Sequence, residues 1–259
     1  MDQYFNYLEK MQEEHKLFFN RISDYVERVD AVSDLFLLSK KDKLLNNLLP
    51  VAFSGDISKK NSIILFGINP GYDENMNILE EQGHKTSWDD YYNFRKNLYM
   101  FFKHIDHPSK YYSVLFKMFS KLYNSKSKWD FFHNNLVNLN LIPYHSKGIS
   151  LPSKFNEKQL EYLKESYFSQ LHFVKPIQPR LYVFNGNPWF NFLIKNNIVE
   201  KFEKIEITSK FNIYLFYISK TPAILFDKFF TSHFFGLTDY HRTEVIPKLI
   251  HNFSIKKTV

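Results

Sequence analysis

Apolar residues fall into two patterns along this chain. From residue 2 to about residue 50 they recur at helical spacing: Tyr4, Leu8 and Met11 form one stripe, and Phe18, Ile22, Tyr25 and Val26 continue it. An N-terminal helical layer is predicted, interrupted by the solvated charge run Lys40-Lys41-Asp42-Lys43 and closed by Pro50 and Ser54-Gly55-Asp56. Ile63-Ile64-Leu65-Phe66 is instead continuously apolar, as in a strand covered on both faces, and Gly67 with Pro70-Gly71 stops it sharply. Leu136 to Ile142, stopped by Pro143, and Leu181-Tyr182-Val183-Phe184, stopped by Asn185-Gly186, have the same form. Residues 205 to 207 and 213 to 218 give two further strand candidates.

Helical patterns separate these runs. Ser87 before Trp88-Asp89-Asp90 reads as an N-cap with an acidic first turn, opening a helix to about residue 104. A second helix is predicted over Tyr111 to Tyr123, and Asn156 caps a third that runs to about Phe173. Residues 190 to 194 form a short helix, Ile224 to Phe230 an apolar loop, and residues 243 to 253 a last helix. The order predicts an α/β fold: a three-layer α/β/α sandwich with a mainly parallel central sheet of about four strands, plus N-terminal helices. With no Ser/Gly/Pro-rich linker, residues 1–259 are expected to form a single domain, with 1–55 as a helical extension packed on it.

Composition narrows the chemistry. The absence of Cys excludes a disulfide scaffold, a thiolate nucleophile and Cys-ligated metal. Only 7 Gly, with neither a Gly-x-Gly-x-x-Gly nor a Walker loop, argues against a nucleotide-cradling site. A net charge of +7 suits a phosphate-backbone partner. The early Asp2, Glu9 and Lys10 and the lack of a long apolar run predict a soluble cytoplasmic protein with no membrane partner. Aromatic residues reach 19%, which predicts an aromatic core shaped chiefly by biased composition. The strand-end loops are left as the place for chemistry, above all Asn69, a polar side chain at the carboxyl end of a central strand.

Gly67-Ile68-Asn69-Pro70-Gly71 resembles the first signature motif of the uracil-DNA glycosylase superfamily, in the form found in its mismatch-specific branch. An ordinary Asn-Pro turn is the plainer reading of the same residues. The resemblance implies that Asn69 positions the water attacking C1′ of an extruded nucleotide, that Gly67 and Ile68 border the base, and that Tyr72 shapes the pocket. Such a role suits an oxocarbenium-like transition state, for which an oriented water suffices. Asp73 is a second water-binding candidate or a surface acid.

Val137-Asn138-Leu139-Asn140-Leu141-Ile142-Pro143-Tyr144-His145-Ser146 resembles the middle strand of the family. Asn140 matches the residue that reads the base, since an amide offers both donor and acceptor; Asn138 has the same parity and is its rival, and an Asn that merely ends a strand is the plainer reading. Tyr144 and His145 are then expected to line the mouth. Arg180 to Gly186, with Asn187-Pro188-Trp189-Phe190, resembles the third strand and reads as scaffold.

The chain departs from the family at its second signature. After the 213–218 strand stands Ser219-Lys220-Thr221-Pro222-Ala223, without the expected His or Asn. Lys220 or His233 is the candidate to stabilise the departing base, with a DNA phosphate contact as the alternative for each. Leu225 and Phe226 lead the candidate wedge, together with Ile224, Phe229 and Phe230, with a buried loop or edge strand as the plainer reading of the same run, and Thr221, Pro222 and Arg242 are expected at the DNA. His107-Pro108-Ser109 falls too early in the chain and reads as a helix boundary. The resemblance, over roughly residues 60 to 250, implies a monofunctional DNA glycosylase that leaves an abasic site, needs no cofactor or metal, and works as a monomer on DNA. Damaged or mismatched bases, or a modified cytosine of phage DNA, are the expected substrates. A catalytically inactive relative that binds DNA or a protein, and an α/β enzyme acting on free nucleosides, remain as alternatives.

Overall fold

Six runs of extended backbone join into one sheet: β1 Ile63–Gly67, β2 Leu136–Asn140, β3 Leu181–Asn185, β4 Glu203–Thr208, β5 Phe211–Ile218 and β6 Thr221–Phe226. Their spatial order is β2-β1-β3-β6-β5-β4. The computed structural model describes residues 7–70, 86–99, 110–125, 127–149, 151–230 and 235–255. β1 pairs with β3, and β3 with β6, in parallel; β6–β5 and β5–β4 are antiparallel. The fold is α/β with N-terminal helices, and among the described residues its sheet has six strands where about four were predicted.

The added strand corrects a prediction. Ile224 to Phe226, expected in an apolar loop, belong to β6 between β3 and β5. Pro222 disguises the strand, because proline removes a ladder donor. It is tolerated here because the pairing with β3 starts only at Tyr182↔Ala223. Ser219 and Lys220 form the two-residue turn between β5 and β6, with Ser219 at a left-handed φ of 57°.

The chain divides into two compact units, each assembled from several stretches. The first comprises 1–54, 67–96 and 139–176. It holds α1 Tyr7–Asn20, α2 Ile22–Leu35, α3 Trp88–Lys96 and α6 Glu157–Val174. Ser87 caps α3 as predicted, its Oγ accepting from Asp90 N at 3.2 Å. Asn156 caps α6 through a reciprocal box with Gln159 (2.9 and 3.0 Å). Tyr7 and Phe53 both pack on Phe173 of α6, so the N-terminal helices share this unit's core with α6.

The second unit comprises 55–66, 97–138 and 177–259. Alternate residues of its strands face opposite ways. Ile63, Leu65, Leu181, Val183, Ile224 and Phe226 pack with α4 Lys110–Phe119, α5 Lys128–Asn135 and α8 Ile246–Ile255. On the other face Phe66 stacks on Phe184 at 4.7 Å, and both meet Trp189 of the short helix α7 Asn187–Phe190. Helices therefore cover the sheet on both sides. Among the described residues, no helix is long and apolar enough to cross a membrane.

Candidate functional site

The turn that follows β1 is held from outside itself. Leu141 N donates to Gly67 O (3.0 Å), Ile142 N to Ile68 O (2.8 Å) and Ser146 N to Pro70 O (3.3 Å). The chain leaving β2 thus runs along the turn for its whole length. Within it, Asn69 Nδ2 donates to Ser146 Oγ (2.8 Å), Pro70 O (3.0 Å) and, more weakly, Tyr144 O (3.4 Å). Two of these partners are carbonyl oxygens, which only accept, so the amide nitrogen must face them. Oδ1 is thereby turned away from them on a half-buried residue. A fixed acceptor of this kind can take one hydrogen of a water and aim its lone pair.

Asn140 ends β2 beside this turn. It is buried, and its Oδ1 lies where a side chain on residue 67 would begin: a Cβ there would stand 2.5 Å away. Glycine at 67 is therefore the condition for Asn140 to hold its place. Two side chains of α6 fix the backbone that carries it. Gln170 Nε2 donates to Asn140 O (2.7 Å), and Ser166 Oγ to Leu141 O (2.6 Å). Sequence reasoning missed both residues. Their signal is a fully buried Gln170 in line with Leu163, Tyr167 and Val174, a polar residue in an apolar stripe. Asn138, the rival reader, carries a buried Oδ1 with no hydrogen-bond partner among the described residues.

Tyr144 takes a different part from the one expected. Its ring does not line a mouth: the residue is 4% exposed and meets Tyr25 edge-on at 6.1 Å. Burial, and then the neighbouring Tyr162 and Glu14, push its hydroxyl pKa far up, so it stays neutral. What Tyr144 gives the site is its carbonyl. His145 is also buried, and its carbonyl accepts from Leu45 N at 2.8 Å.

Several other expectations are corrected by strand direction. Because β6 runs parallel to β3 and begins level with its start, Lys220, Thr221 and Pro222 lie at the amino-end rim of β1 and β3. The carboxyl end of β1, from which Asn69 follows, is the other end of those strands. Leu225 and Phe226 are fully buried in a central strand, so neither can project as a wedge. Arg242 is 1% exposed; its Nε donates to Phe230 O (3.3 Å) and its Nη1 lies 3.7 Å from Asp239, which makes it an internal brace. Tyr72, Asp73, His107 and His233 lie outside the described residues.

The carboxyl end of β6 carries a different set. Asp227 comes first, with both carboxylate oxygens bound by Asn212, at 3.0 Å from its N and 2.8 Å from its Nδ2. Lys228 follows, its Nζ 5.8 Å from the Phe235 ring centre. Phe229 is 48% exposed and lies across Gly186, where a Cβ would meet its ring at 2.7 Å. Phe230 turns back inside, its N donating to Asn185 Oδ1 at 3.2 Å. Among the described residues, no group of three His, Asp or Glu is placed to hold a metal ion. No protein-family model matches the chain, and no curated protein matches it significantly.

Proposed function

We propose that the chain is a monofunctional DNA glycosylase of the uracil-DNA glycosylase superfamily. The observation that carries the reading is the Asn69 amide, in the Gly-Ile-Asn-Pro-Gly turn, with its nitrogen committed to Ser146 Oγ, Pro70 O and Tyr144 O. In the proposed reaction a water held at Oδ1 attacks C1′ of an extruded nucleotide. The C1′–N bond breaks, its electron pair leaves with the base, and the water supplies the hydroxyl of the abasic sugar and a proton. Asn140 reads the base edge, and Asn138 stands as its rival.

Phe229 replaces Leu225 and Phe226 as the wedge candidate, since an exposed ring braced on a glycine has the apolar area to hold open an unstacked step. Lys228 replaces Lys220 as the cation to test for contact with DNA. Damaged or mismatched bases and modified cytosines of phage DNA are the substrate classes to compare, with the protein acting as a monomer.

One observation favours a second reading, a glycosylase fold that binds DNA without cutting it. Asp227, directly after the last parallel strand, accepts from Asn212 N and Nδ2, and a carboxylate acceptor does not stabilise a departing base anion. A single experiment separates the two. The protein is incubated with duplexes containing uracil, a G:T mismatch, hydroxymethylcytosine or glucosylated hydroxymethylcytosine, and alkali-labile sites are scored for wild type and Asn69→Ala. Product from wild type that Asn69→Ala abolishes supports the catalytic reading. Equal product from both overturns the role of Asn69, and binding without product from any duplex favours the second reading.

A further inference from the structure

The resemblance to glycosylases begins near residue 60 and gives the residues before it no task. The structure ties them to the Asn69 turn through a continuous set of hydrogen bonds. Residues 43–48 are fastened to α2: Leu44 N donates to Ser33 Oγ (3.2 Å), Asn46 Nδ2 to Asp30 Oδ1 (3.1 Å) and Tyr25 Oη to Leu48 O (2.7 Å), and Lys43 Nζ pairs with Asp30 at 3.0 Å. The same stretch grips the loop after β2, with Leu45 N donating to His145 O (2.8 Å) and Val51 N to Pro143 O (2.7 Å). Of three consecutive carbonyls, those of Pro143 and His145 are held by the N-terminal stretch, and the one between them, Tyr144 O, receives Asn69 Nδ2.

We infer that residues 43–51 form a strap that positions the Asn69 amide through the 143–145 carbonyls, with Tyr25 as its anchor. Tyr25 is fully buried and touches both parts, its hydroxyl on Leu48 O and its ring against Tyr144. Tyr25 is a positioning residue, since it acts on Asn69 only through Tyr144 and the strap. Fastening Pro143 O and His145 O fixes the peptide planes on either side of the one that carries Tyr144 O, so that carbonyl can turn only about the line between the Tyr144 and His145 Cα atoms. This gives the N-terminal layer a function within the site.

The catalytic arm of the test rests on the glycosylase reading; the structural arm does not. Tyr25→Phe keeps the ring and removes the bond to Leu48 O. Exchange of the Ile142 and Ser146 amides, which bond Ile68 O and Pro70 O, should quicken by about 2- to 12-fold, the worth of one hydrogen bond. On whichever duplex wild type cleaves, the single-turnover rate should fall by a similar factor while the duplex Kd stays within about twofold. Asn46→Ala, which loosens the strap at Asp30 without touching the core, should give a smaller change of the same kind and serves if Tyr25→Phe does not fold. Unchanged exchange at both amides overturns the strap, as does a rate and affinity that fall together with the folded fraction. If wild type forms no abasic product, the exchange arm alone decides the strap, and the glycosylase reading fails separately.

Discussion

At the turn that follows β1, three backbone bonds from the chain leaving β2 hold Gly67, Ile68 and Pro70, and the Asn69 amide is oriented by acceptors on either side. At the turn between β5 and β6, Ser219 and Lys220 cross a hairpin with their side chains exposed, at the amino-end rim of the parallel strands. Both turns put a polar side chain next to an apolar strand, and in the sequence both are candidates, Asn69 ahead of Lys220. They differ in the strand end from which they emerge and in how firmly the side chain is held. In open α/β sheets ligands gather at carboxyl ends, so the first turn is placed for chemistry and the second for closing a hairpin.

The sharpest way to break this comparison is at Asn69 itself. Asn69→Ala removes the oriented acceptor, and on an active duplex the single-turnover rate should fall by about 10²- to 10³-fold, the scale seen when one preorganised polar group is lost. Asn69→Asp is a finer probe. A carboxylate has no hydrogen to offer Pro70 O and Tyr144 O, so two carbonyls would face an anion. Its thermal midpoint should drop by the equivalent of roughly 1–3 kcal/mol, the cost of leaving such groups unpaired. An Asn69→Asp variant as stable as wild type would mean that the amide is not oriented as described.

Next in size is Gly67→Ala. The new Cβ would stand 2.5 Å from Asn140 Oδ1, so Asn140 must swing or β2 must shift. Overpacking of this kind costs about 1–3 kcal/mol, and the change should fall more heavily on discrimination among bases than on DNA affinity. Relative rates on the four duplexes, set beside their Kd values, measure it. Equal loss on all of them would detach Asn140 from base reading.

What can be read from the sequence is what local chemistry fixes. The continuous run at 63–66 and its Gly stop mark β1, Ser87 and Asn156 announce their caps, and the amide at 69 lies on the turn expected of it. What cannot be read depends on pairing between distant residues. Pro222 hides β6, and without β6 the direction of the strand at Leu225 and Phe226 is unknown, so a core strand passes for a loop and Lys220 for a carboxyl-end residue. Tyr144 is matched by its position in the chain, but its ring direction is set by Tyr25 in a helix more than a hundred residues away. Ser166 and Gln170 act on backbone carbonyls, which leave no pattern in the residues they support.

A middle effect is expected at Ser146→Ala, which deletes the shortest of Asn69's three contacts while both carbonyl acceptors remain. One net hydrogen bond is worth about 0.5–1.5 kcal/mol, so the rate should fall by about 2- to 12-fold, with little change in duplex affinity. A loss as deep as that of Asn69→Ala would shift the water-holding role from the amide to the Ser146 hydroxyl.

The smallest effect is expected where the sequence alone pointed to a catalytic cation. Lys220 is exposed on a two-residue hairpin turn, level with the start of β3, so Lys220→Ala should leave the single-turnover rate within about twofold. Removing one positive charge that touches a phosphate would lower the salt dependence of binding by about one unit of slope; at the amino-end rim no such change is expected. Lys228→Ala, at the carboxyl end of β6, is the matched control, and there a change in slope or rate is expected. A rate collapse in Lys220→Ala with Lys228→Ala unaffected would reverse the contrast between the two ends of the sheet.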